Sequence, residues 1–536
     1  MREIKTLKYI IIVFSILIFA AVGILIYRYD DSKELTASKK TGLNIPTAIV
    51  YINGNEDDFF GYERGILVPG KLFDEYKAAH NLGDDEIPTM ETDANFNHKE
   101  WVRECSVMLV SSDGKIILND KAGARISGNA SRKLAQKSLT ILADKKYGSK
   151  DSHFYMDLGD GNKQYDRFRI HSGGQDLRDT QLRDQLINYM ALKCGFEIIR
   201  PMVPTLIYIN DEFYGVGHIE PKINEDYIGE KYGITKKYVE VFDQGGINEA
   251  LEHIGYENIR YNFENEQFRD EFESKVDTDS FIKYIAFNFM LRNYDWPVNN
   301  VLIYRYTGNT YRDDCPLTDG KYRFAPTDVD VSLKSDKGDP FSIMDFLEDD
   351  ENMRFMKGFL EYAPYREKFV NTMLDFIAVG LSDDVLIQLQ CINAEYGDAF
   401  AYALENTKFD DIKTYLLNRD ASLAELFNNI INRRQQLYDH LYQYYNTGEG
   451  YVLMVYPGED KKIKVSNIIV DDSYYEGNEN VFTSVRACSI PTNIFVSDKN
   501  GNPLSYIYIN GEKKELVDGF FAVDASMAAD GTVVVN

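Results

Sequence analysis

The sequence is poor in cysteine, and its few cysteines are widely separated. None of them forms a CxxC pair, so a zinc ribbon, which needs closely spaced thiolates, is excluded. A secreted scaffold held together by disulfides would have a much higher density of cysteine. We therefore interpret the five thiols as buried or incidental side chains: Cys105, Cys194, Cys315, Cys391 and Cys488.

Positive charge is also in short supply. The chain has 59 Lys and Arg residues against 85 Asp and Glu residues, which gives a formal net charge of −26. A surface of this sign repels the phosphate backbone, so we expect no nucleic-acid partner. A solvated acidic surface accounts for the charge, and the same charge suits a protein that binds divalent cations or basic substrates.

Apolar residues, by contrast, are plentiful. Hydrophobic residues make up 44% of the sequence, with 38 Tyr and 31 Phe, and this composition excludes a disordered chain. At 536 residues the chain is longer than one typical domain. We therefore expect two or three folded units.

One long uncharged run lies at the N-terminus. Residues 9–27 contain no charged side chain and are long enough to span the hydrocarbon core as a helix. Basic residues precede this run and acidic residues follow it, so the positive-inside rule predicts a cytoplasmic N-terminus and an extracytoplasmic body. A cleaved signal peptide usually has a shorter apolar region. We therefore favour an uncleaved single-pass anchor within residues 1–31, followed by a polar linker, residues 32–45.

Local patterns divide the remaining chain into a main body, residues 46–447, and a tail, residues 448–536. The first half of the body alternates apolar and polar residues, and its turn sequences predict β-hairpins. The tail has short β-rich runs with Asn-Gly turns, which predict a small β-sandwich. Hairpin turns are expected at residues 113–114 and 210–211, and helical spacing of apolar residues occurs in residues 183–196, 280–294 and 342–445.

The sharpest group of candidate catalytic residues lies between a predicted helix and a predicted hairpin. Asp295 is followed five residues later by Asn300, and the hairpin ends in Asp328-Val329-Asp330. Phosphoryl transfer uses Mg²⁺ bound by hard oxygen ligands, and kinases place an Asp, an Asn and a further Asp in this order. The order favours Asp295 as the catalytic acid, with three metal ligands: Asn300, Asp328 and Asp330. The alternative is that these residues are helix caps and solvated turns.

A polar turn between two predicted strands could hold phosphate groups. Backbone N–H groups in such a turn can face phosphates, and Lys137 on the next strand supplies a positive charge. An ordinary surface hairpin is the alternative. The turn residues concerned are Gly128, Asn129, Ser131 and Arg132.

The start of the helix expected in residues 183–196 is rich in charge. Asp179 could cap this helix, and Asp184 could pair with Lys137, as a helix acid does in kinases. First-turn acids also complement a helix dipole, which is an equally good structural explanation.

The histidines and Trp296 give weaker signals. The seven histidines, His171 and His218 among them, show no metal-ligand spacing, so we interpret them as ordinary polar residues. Trp296 lies beside Asp295 and could stack on a nucleotide base, although packing in a core is the more common fate of tryptophan.

Taken together, these segments resemble the spore coat protein H (CotH) family of atypical, secretory-type protein kinases. The similarity extends over roughly residues 100–445 and preserves the order of five motifs. The sequence departs from the family pattern at Ser127, where the family has Arg, and at Gly217, where it has Tyr. The five motifs occupy residues 125–138, 168–188, 208–228, 277–300 and 324–332.

The resemblance implies an α+β fold with an atypical two-lobed, protein-kinase-like body. It implies ATP and Mg²⁺ or Mn²⁺ as cofactors, and Ser or Thr of an exported or cell-surface protein as the phosphate acceptor. Carried over to this sequence, Lys137 would contact the phosphates and Glu220 would lie near the adenosine end of the nucleotide.

Two other functions fit parts of the sequence. A CotH-like surface protein that binds or supports a partner without turnover would explain Ser127 in place of the family's Arg. A glycosyltransferase could use Asp328-Val329-Asp330 as its metal-binding D-x-D, but no doubly wound nucleotide-binding pattern precedes this motif.

Overall fold

The computed structural model describes residues 48–159, 161–243, 245–256, 262–334, 354–445, 450–472 and 481–536. The predicted anchor and linker lie outside these residues, as does the start of the helical segment expected in residues 342–445. Among the residues described, no helix is both long enough and apolar enough to cross a membrane.

The first part of the body is a closed β-barrel of seven strands in the order β1-β2-β3-β4-β7-β9-β8. The barrel closes where β1 pairs in parallel with β8, with Val50 opposite Ile207. Strands β5 and β6 form a separate two-stranded hairpin. The strands are β1 (Ala48–Gly54), β2 (Arg103–Val110), β3 (Ile116–Ile126), β4 (Leu139–Leu142), β5 (Phe154–Tyr155), β6 (Gln164–Tyr165), β7 (Arg167–His171), β8 (Val203–Ile209) and β9 (Glu212–Pro221).

Both hairpin turns expected in the barrel are present. Gly114 joins β2 to β3 with φ of +82°, a conformation that glycine adopts without a steric penalty. Asn210 and Asp211 join β8 to β9, and both are left-handed, with φ of +51° and +63°, which short polar side chains tolerate. The alternation predicted from the sequence therefore holds, since Val50, Ile52 and their counterparts point into the barrel core.

The second part of the body is mainly helical. Its central helix, residues 278–291, is buried on nearly every side and begins at Asp277, whose side chain accepts a hydrogen bond from Ser280 N. The helices of the described chain are α1 (Glu56–Phe59), α2 (Gly70–His80), α3 (Arg183–Lys193), α4 (Glu225–Tyr232), α5 (Ile247–Ile254), α6 (Glu266–Lys275), α7 (Thr278–Leu291), α8 (Arg354–Glu361), α9 (Ala363–Gly380), α10 (Asp383–Glu395), α11 (Ala399–Asn406) and α12 (Asp410–Tyr445).

A three-stranded sheet lies within this helical part. It consists of β10 (Val239–Asp243), β11 (Leu302–Tyr306) and β12 (Arg323–Ala325), in that order. The strands β11 and β12 form the hairpin predicted between Asn300 and Asp328. The loop that follows β12 carries Asp328 and Asp330.

The tail consists of two sheets whose inner faces share one hydrophobic core, as expected for a β-sandwich. The first sheet has the order β16-β13-β21-β18-β19 and the second β15-β14-β17-β20. The strands are β13 (Tyr451–Val455), β14 (Lys461–Val465), β15 (Ile468–Val470), β16 (Phe482–Arg486), β17 (Thr492–Asp498), β18 (Tyr506–Ile509), β19 (Glu512–Glu515), β20 (Phe520–Val523) and β21 (Thr532–Val535).

A buried ion pair joins the sandwich to the helical part. Arg486, at the end of β16, pairs with Asp375 of α9, and both side chains are 0% exposed. Asn467 N donates a second hydrogen bond to the Asp375 carboxylate, at 3.1 Å. A buried charge is tolerated only when a partner compensates it, so this contact constrains how the sandwich packs on α9.

Replacing Arg486 with Met should destabilise the chain by about 3–5 kcal/mol, because the Asp375 carboxylate would remain buried without its counter-charge. Denaturant unfolding, followed by near-UV circular dichroism, measures the loss. The matched control is Lys368→Met, which removes the cation from an ion pair with Asp279 whose side chains are 56% and 63% exposed. That change should cost less than about 1 kcal/mol, and an equal loss in the two variants would contradict the assignment.

Candidate functional site

Four polar side chains project from the outer face of the barrel on two paired strands. Arg169 and His171 of β7 lie opposite Glu220 and His218 of β9 in the strand register. The residues between them on these strands, Ile170 among them, belong to the barrel core. Because successive side chains of a strand point to opposite faces, the four polar side chains face away from that core.

Arg169 and Glu220 form an ion pair at this face. Burial would lower the pKa of Arg169, but the charges of Glu220, Asp328 and Asp184 raise it above its ordinary value. Burial would likewise raise the pKa of Glu220, yet Arg169 and Arg200 hold it well below its ordinary range. Both groups are therefore charged, and Arg169 lies close enough to the neighbouring acids to stabilise them.

The start of α3 brings Asp184 to the same place. The helix is not capped by Asp179, as the sequence suggested, since Leu182 occupies the N-cap position. The Asp176 carboxylate accepts hydrogen bonds from Arg183 N at 3.0 Å and from the Thr180 hydroxyl at 2.7 Å, and Asp179 pairs with Lys334 at 2.9 Å. No local pattern distinguishes these two acids, because a 3₁₀ turn at residues 174–178 brings the earlier one to the helix start.

Asp184 does not pair with Lys137. Its nearest basic side chain among the described ion pairs is His171, with Nδ1 at 3.7 Å from the carboxylate. Burial, followed by the charges of Asp330 and Asp328, raises the pKa of Asp184 well above its ordinary value. A group in this position favours either a proton or a nearby cation.

The loop after β12 supplies Asp330, which is 5% exposed. Its carboxylate accepts a hydrogen bond from Gln175 N. A side chain at Gly174, where φ is +55°, would place a Cβ 2.1 Å from Asp330 Oδ2, so glycine is required for this approach. Burial and the charge of Asp328 raise the pKa of Asp330 to about 8.

Asn300 links the other predicted metal-site residues. Its side-chain amide donates to the Asp328 carbonyl oxygen at 3.1 Å and lies 3.4 Å from the Asp295 carboxylate. Asn300 and Asp328 both have positive φ, +63° and +50°, which Asn and Asp tolerate better than most residues. The structure therefore brings together the residues that the sequence proposed for metal binding, although they come from two separate loops.

The donor set suits a hard divalent cation. Asp184, Asp328 and Asp330 offer carboxylate oxygens, which Mg²⁺ and Mn²⁺ prefer. Burial, followed by the charges of neighbouring acids, raises the pKa of both Asp184 and Asp330. A cavity of about 10 Å³, lined by Asp184, Arg200 and Asp328 among others, adjoins these groups. That volume is enough for roughly one water-sized occupant.

The predicted phosphate-binding turn lies between β3 and β4 and is tightly folded. Gly128 has φ of +90°, and a Cβ there would lie 2.3 Å from Ser131 Oγ. Asn129 precedes a short 3₁₀ turn, and the largely buried Arg132 donates to the Asn97 carbonyl oxygen at 2.8 Å. The Arg132 guanidinium is thus already engaged within the protein.

Lys137 is buried, and its ammonium faces the protein interior. Nζ donates to the Leu134 carbonyl oxygen at 2.7 Å and lies 4.5 Å from the centroid of the Phe96 ring. Burial lowers its pKa to about 8. The basic group beside the acids is therefore Arg169, and not the lysine that the sequence indicated.

Trp296 is a core residue. The indole is 3% exposed and packs against Tyr284 and Phe289, with ring centroids 6.2 and 5.7 Å away. This burial leaves no open indole face on which a base could stack. Glu220, expected near the adenosine end of a nucleotide, pairs with Arg169, and its charge also acts on Asp184.

Residues 236–389 match the model of a protein family described as CotH kinase protein. This match confirms the resemblance over the segment that contains Asp295, Asn300, Asp328 and Asp330. The barrel motifs precede the matched residues. No curated protein matches the chain.

Sequence reasoning missed three residues of this site: Arg169, His171 and His218. Their signal was the i, i+2 spacing of polar residues on two predicted strands, Arg169 with His171 and His218 with Glu220. Such spacing shows only that the residues share a face of their own strand. That the two strands are neighbours follows from pairing between segments about 50 residues apart, which no local pattern reveals.

The raised pKa of Asp330 predicts a pH-dependent stability in metal-free buffer. The folded chain keeps this carboxyl protonated up to about pH 8, whereas its ordinary value is 3.8. Its contribution to stability is therefore complete below about pH 4 and is lost as the pH rises through 8. Relative to the wild type, Asp330→Asn should become progressively more stable between pH 5 and pH 8.5, as measured by denaturant unfolding at each pH.

The matched control for this titration is Asp270→Asn, a substitution at an exposed position of α6. Its stability difference from the wild type should stay constant over the same pH range. A constant difference for Asp330→Asn as well would show that this carboxyl does not titrate in the folded chain near pH 8.

Proposed function

We propose that the protein is a metal-dependent protein kinase that transfers the γ-phosphoryl group of ATP to Ser or Thr of an exported or cell-surface protein. The observation that carries the proposal is the convergence of Asp295, Asn300, Asp328 and Asp330 beside the buried Asp184. Four of these five residues lie within the segment that matches the CotH kinase family.

The residues have distinct roles in this proposal. Asp328, Asp330 and the Asn300 side chain would hold Mg²⁺ or Mn²⁺, which neutralises charge on the phosphates when it is bound. The Asp295 carboxylate lies 3.4 Å from the side-chain nitrogen of Asn300, at the edge of the acid cluster. In this proposal it receives the proton of the acceptor hydroxyl. Arg169 supplies positive charge from the barrel side, the part that the sequence had assigned to Lys137.

The reaction moves the γ-phosphoryl group from ATP to the hydroxyl oxygen of the acceptor. The acceptor oxygen forms a bond to the γ-phosphorus while the bond from that phosphorus to the bridging oxygen of ADP breaks. Asp295 accepts the proton of the acceptor hydroxyl, as the catalytic aspartate does in kinases. The products are a phosphorylated Ser or Thr, ADP and a proton that Asp295 later releases to water.

The location of the reaction is part of the proposal. Residues 9–27 would anchor the chain in a membrane, with the folded body on the extracytoplasmic side. An acceptor in the same compartment, exported or displayed at the cell surface, would then meet the site directly.

A CotH-like surface protein without turnover is the second candidate. It is favoured by Ser127, which stands where the family pattern has Arg. It is also favoured by the inward orientation of Lys137. In this alternative the acid cluster binds a cation that stabilises the fold, and phosphoryl transfer does not occur.

Phosphorylation by the full-length chain separates the two candidates. With radiolabelled ATP, Mg²⁺ or Mn²⁺ and a Ser-rich acceptor, the wild type should label the acceptor or itself. Asp295→Ala should lower the rate by roughly 10²–10⁴-fold, because it removes the group that accepts the proton. Asp328→Ala should abolish the dependence on the metal together with the activity.

The matched control is Asp313→Ala, which removes an exposed aspartate from the same family-matched segment. It should leave the labelling rate unchanged. Absence of labelling in the wild type, with no change of melting temperature on adding ATP and metal, would overturn the kinase proposal and favour the binding protein. Equal losses in Asp313→Ala and Asp295→Ala would overturn the assignment of the site.

A further inference from the structure

Two imidazoles and a carboxylate converge beside the acid cluster without taking part in the proposed phosphoryl transfer. His171, His218 and Glu220 each offer one ligand atom, and these atoms lie within 4.8 Å of one another. The two imidazole rings are 4.9 Å apart between centroids. All three residues are almost completely buried, at 3%, 1% and 1% exposure.

Four polar atoms of this group have no hydrogen-bond partner in the described part of the chain. These four atoms are Nδ1 of His171, both ring nitrogens of His218 and Oε2 of Glu220. The closest approaches are 3.6 Å between His218 and Glu220 and 3.7 Å between His171 and Asp184, both longer than a hydrogen bond. A buried polar atom without a hydrogen-bond partner is unfavourable, so four such atoms in one place indicate that a ligand completes the site.

The backbone is adapted to hold these side chains together. A Cβ at Gly217 would lie 2.2 Å from the His171 carbonyl oxygen, so only glycine allows β7 and β9 to pair this closely.

Arg169 holds the Glu220 carboxylate in place from outside the group. Its guanidinium pairs with Oε1 of Glu220 and leaves Oε2 directed toward the imidazoles. Metal-binding carboxylates are commonly held by an outer partner in this way, which fixes their orientation.

We propose that His171, His218 and Glu220 form a binding site for a transition-metal cation of the Zn²⁺ class, with Asp184 beside it, 3.7 Å from His171 Nδ1. Imidazole nitrogen with carboxylate oxygen is a ligand set typical of Zn²⁺ and its neighbours, whereas Mg²⁺ selects oxygen alone. Zn–N bonds of about 2.0–2.1 Å require the ligand atoms to close by roughly 1 Å, which small side-chain rotations supply.

This site is distinct from the proposed Mg²⁺ site and is joined to it through Asp184. A cation bound to the histidines would offset part of the negative charge of Asp184, Asp328 and Asp330, adding to the positive charge that Arg169 supplies. It would also fix β7 and β9 relative to α3. The proposal stands whether or not the protein transfers phosphate, since it rests on the geometry of the barrel face.

Metal binding by the full-length chain, stripped of metal with a chelator and then dialysed, tests the site directly. Co²⁺ should produce visible absorption bands of a four- or five-coordinate ion, and one equivalent of Zn²⁺ should displace it. Mg²⁺ in large excess should not. His171→Gln and His218→Gln should each weaken Zn²⁺ binding by at least the roughly 10–100-fold that loss of an outer-shell partner costs.

Two control variants make the result specific. His253→Gln alters a histidine that pairs with Glu240 at 2.7 Å outside the site, and it should bind Co²⁺ as the wild type does. Asp330→Asn should retain the Co²⁺ spectrum while losing phosphoryl transfer, so failure of the kinase proposal is distinguishable from failure of this one.

Far-UV circular dichroism checks that the histidine variants fold. A second measurement, the melting temperature of the wild type, needs no variant. Zn²⁺ should raise the melting temperature of the metal-free wild type. Absence of both the Co²⁺ spectrum and this thermal shift in the wild type would overturn the site. Undiminished Zn²⁺ binding in both histidine variants, or an equal loss in His253→Gln, would overturn it as well.

Discussion

The guanidinium of Arg169 makes the junction between the barrel and α3 possible. It is paired with Glu220, and the charges of Asp184 and Asp328 also act on it. Burying several carboxylates without a compensating cation would cost more free energy than a folded chain of this size can spare. Burial first, and then the charges of neighbouring acids, raises the pKa values of Asp184 and Asp330. A cation at this junction would offset the second of these effects.

The two sides of the junction contribute different chemistry. The barrel presents Arg169 and the two histidines on rigid, paired strands, and the loops of the helical part present the acids. The barrel strands alone hold His171, His218 and Glu220, whereas the acid cluster also needs α3 and the loops of the helical part. A small change in how the barrel packs on α3 would therefore alter the acid cluster and the histidine pair together, because Asp184 lies beside both.

Local features of the fold were predictable from the sequence. The hairpins at Gly114 and at Asn210-Asp211, the helix α3, and the β-rich tail follow from turn residues and apolar spacing. Closure of the barrel was not predictable, since the parallel pairing of β1 with β8 joins segments about 150 residues apart. The acids of the site could be proposed because a family motif places them in order, and the family match includes them. Lys137 was chosen from its position after a turn, and only the packing of Phe96 around it shows that it points inward.

The ion pair between Arg486 and Asp375 has a consequence for how this chain could have been assembled. The sequence changes from helical to β-rich patterns near residue 448, as at a domain boundary where modules can be exchanged. A body without the sandwich would expose the face of α9 that the sandwich covers and leave Asp375 without Arg486 and Asn467. A module exchanged at that point would have to supply a matching cation to keep Asp375 paired. In energetic terms the sandwich and the body are therefore one unit rather than a scaffold with a replaceable appendage.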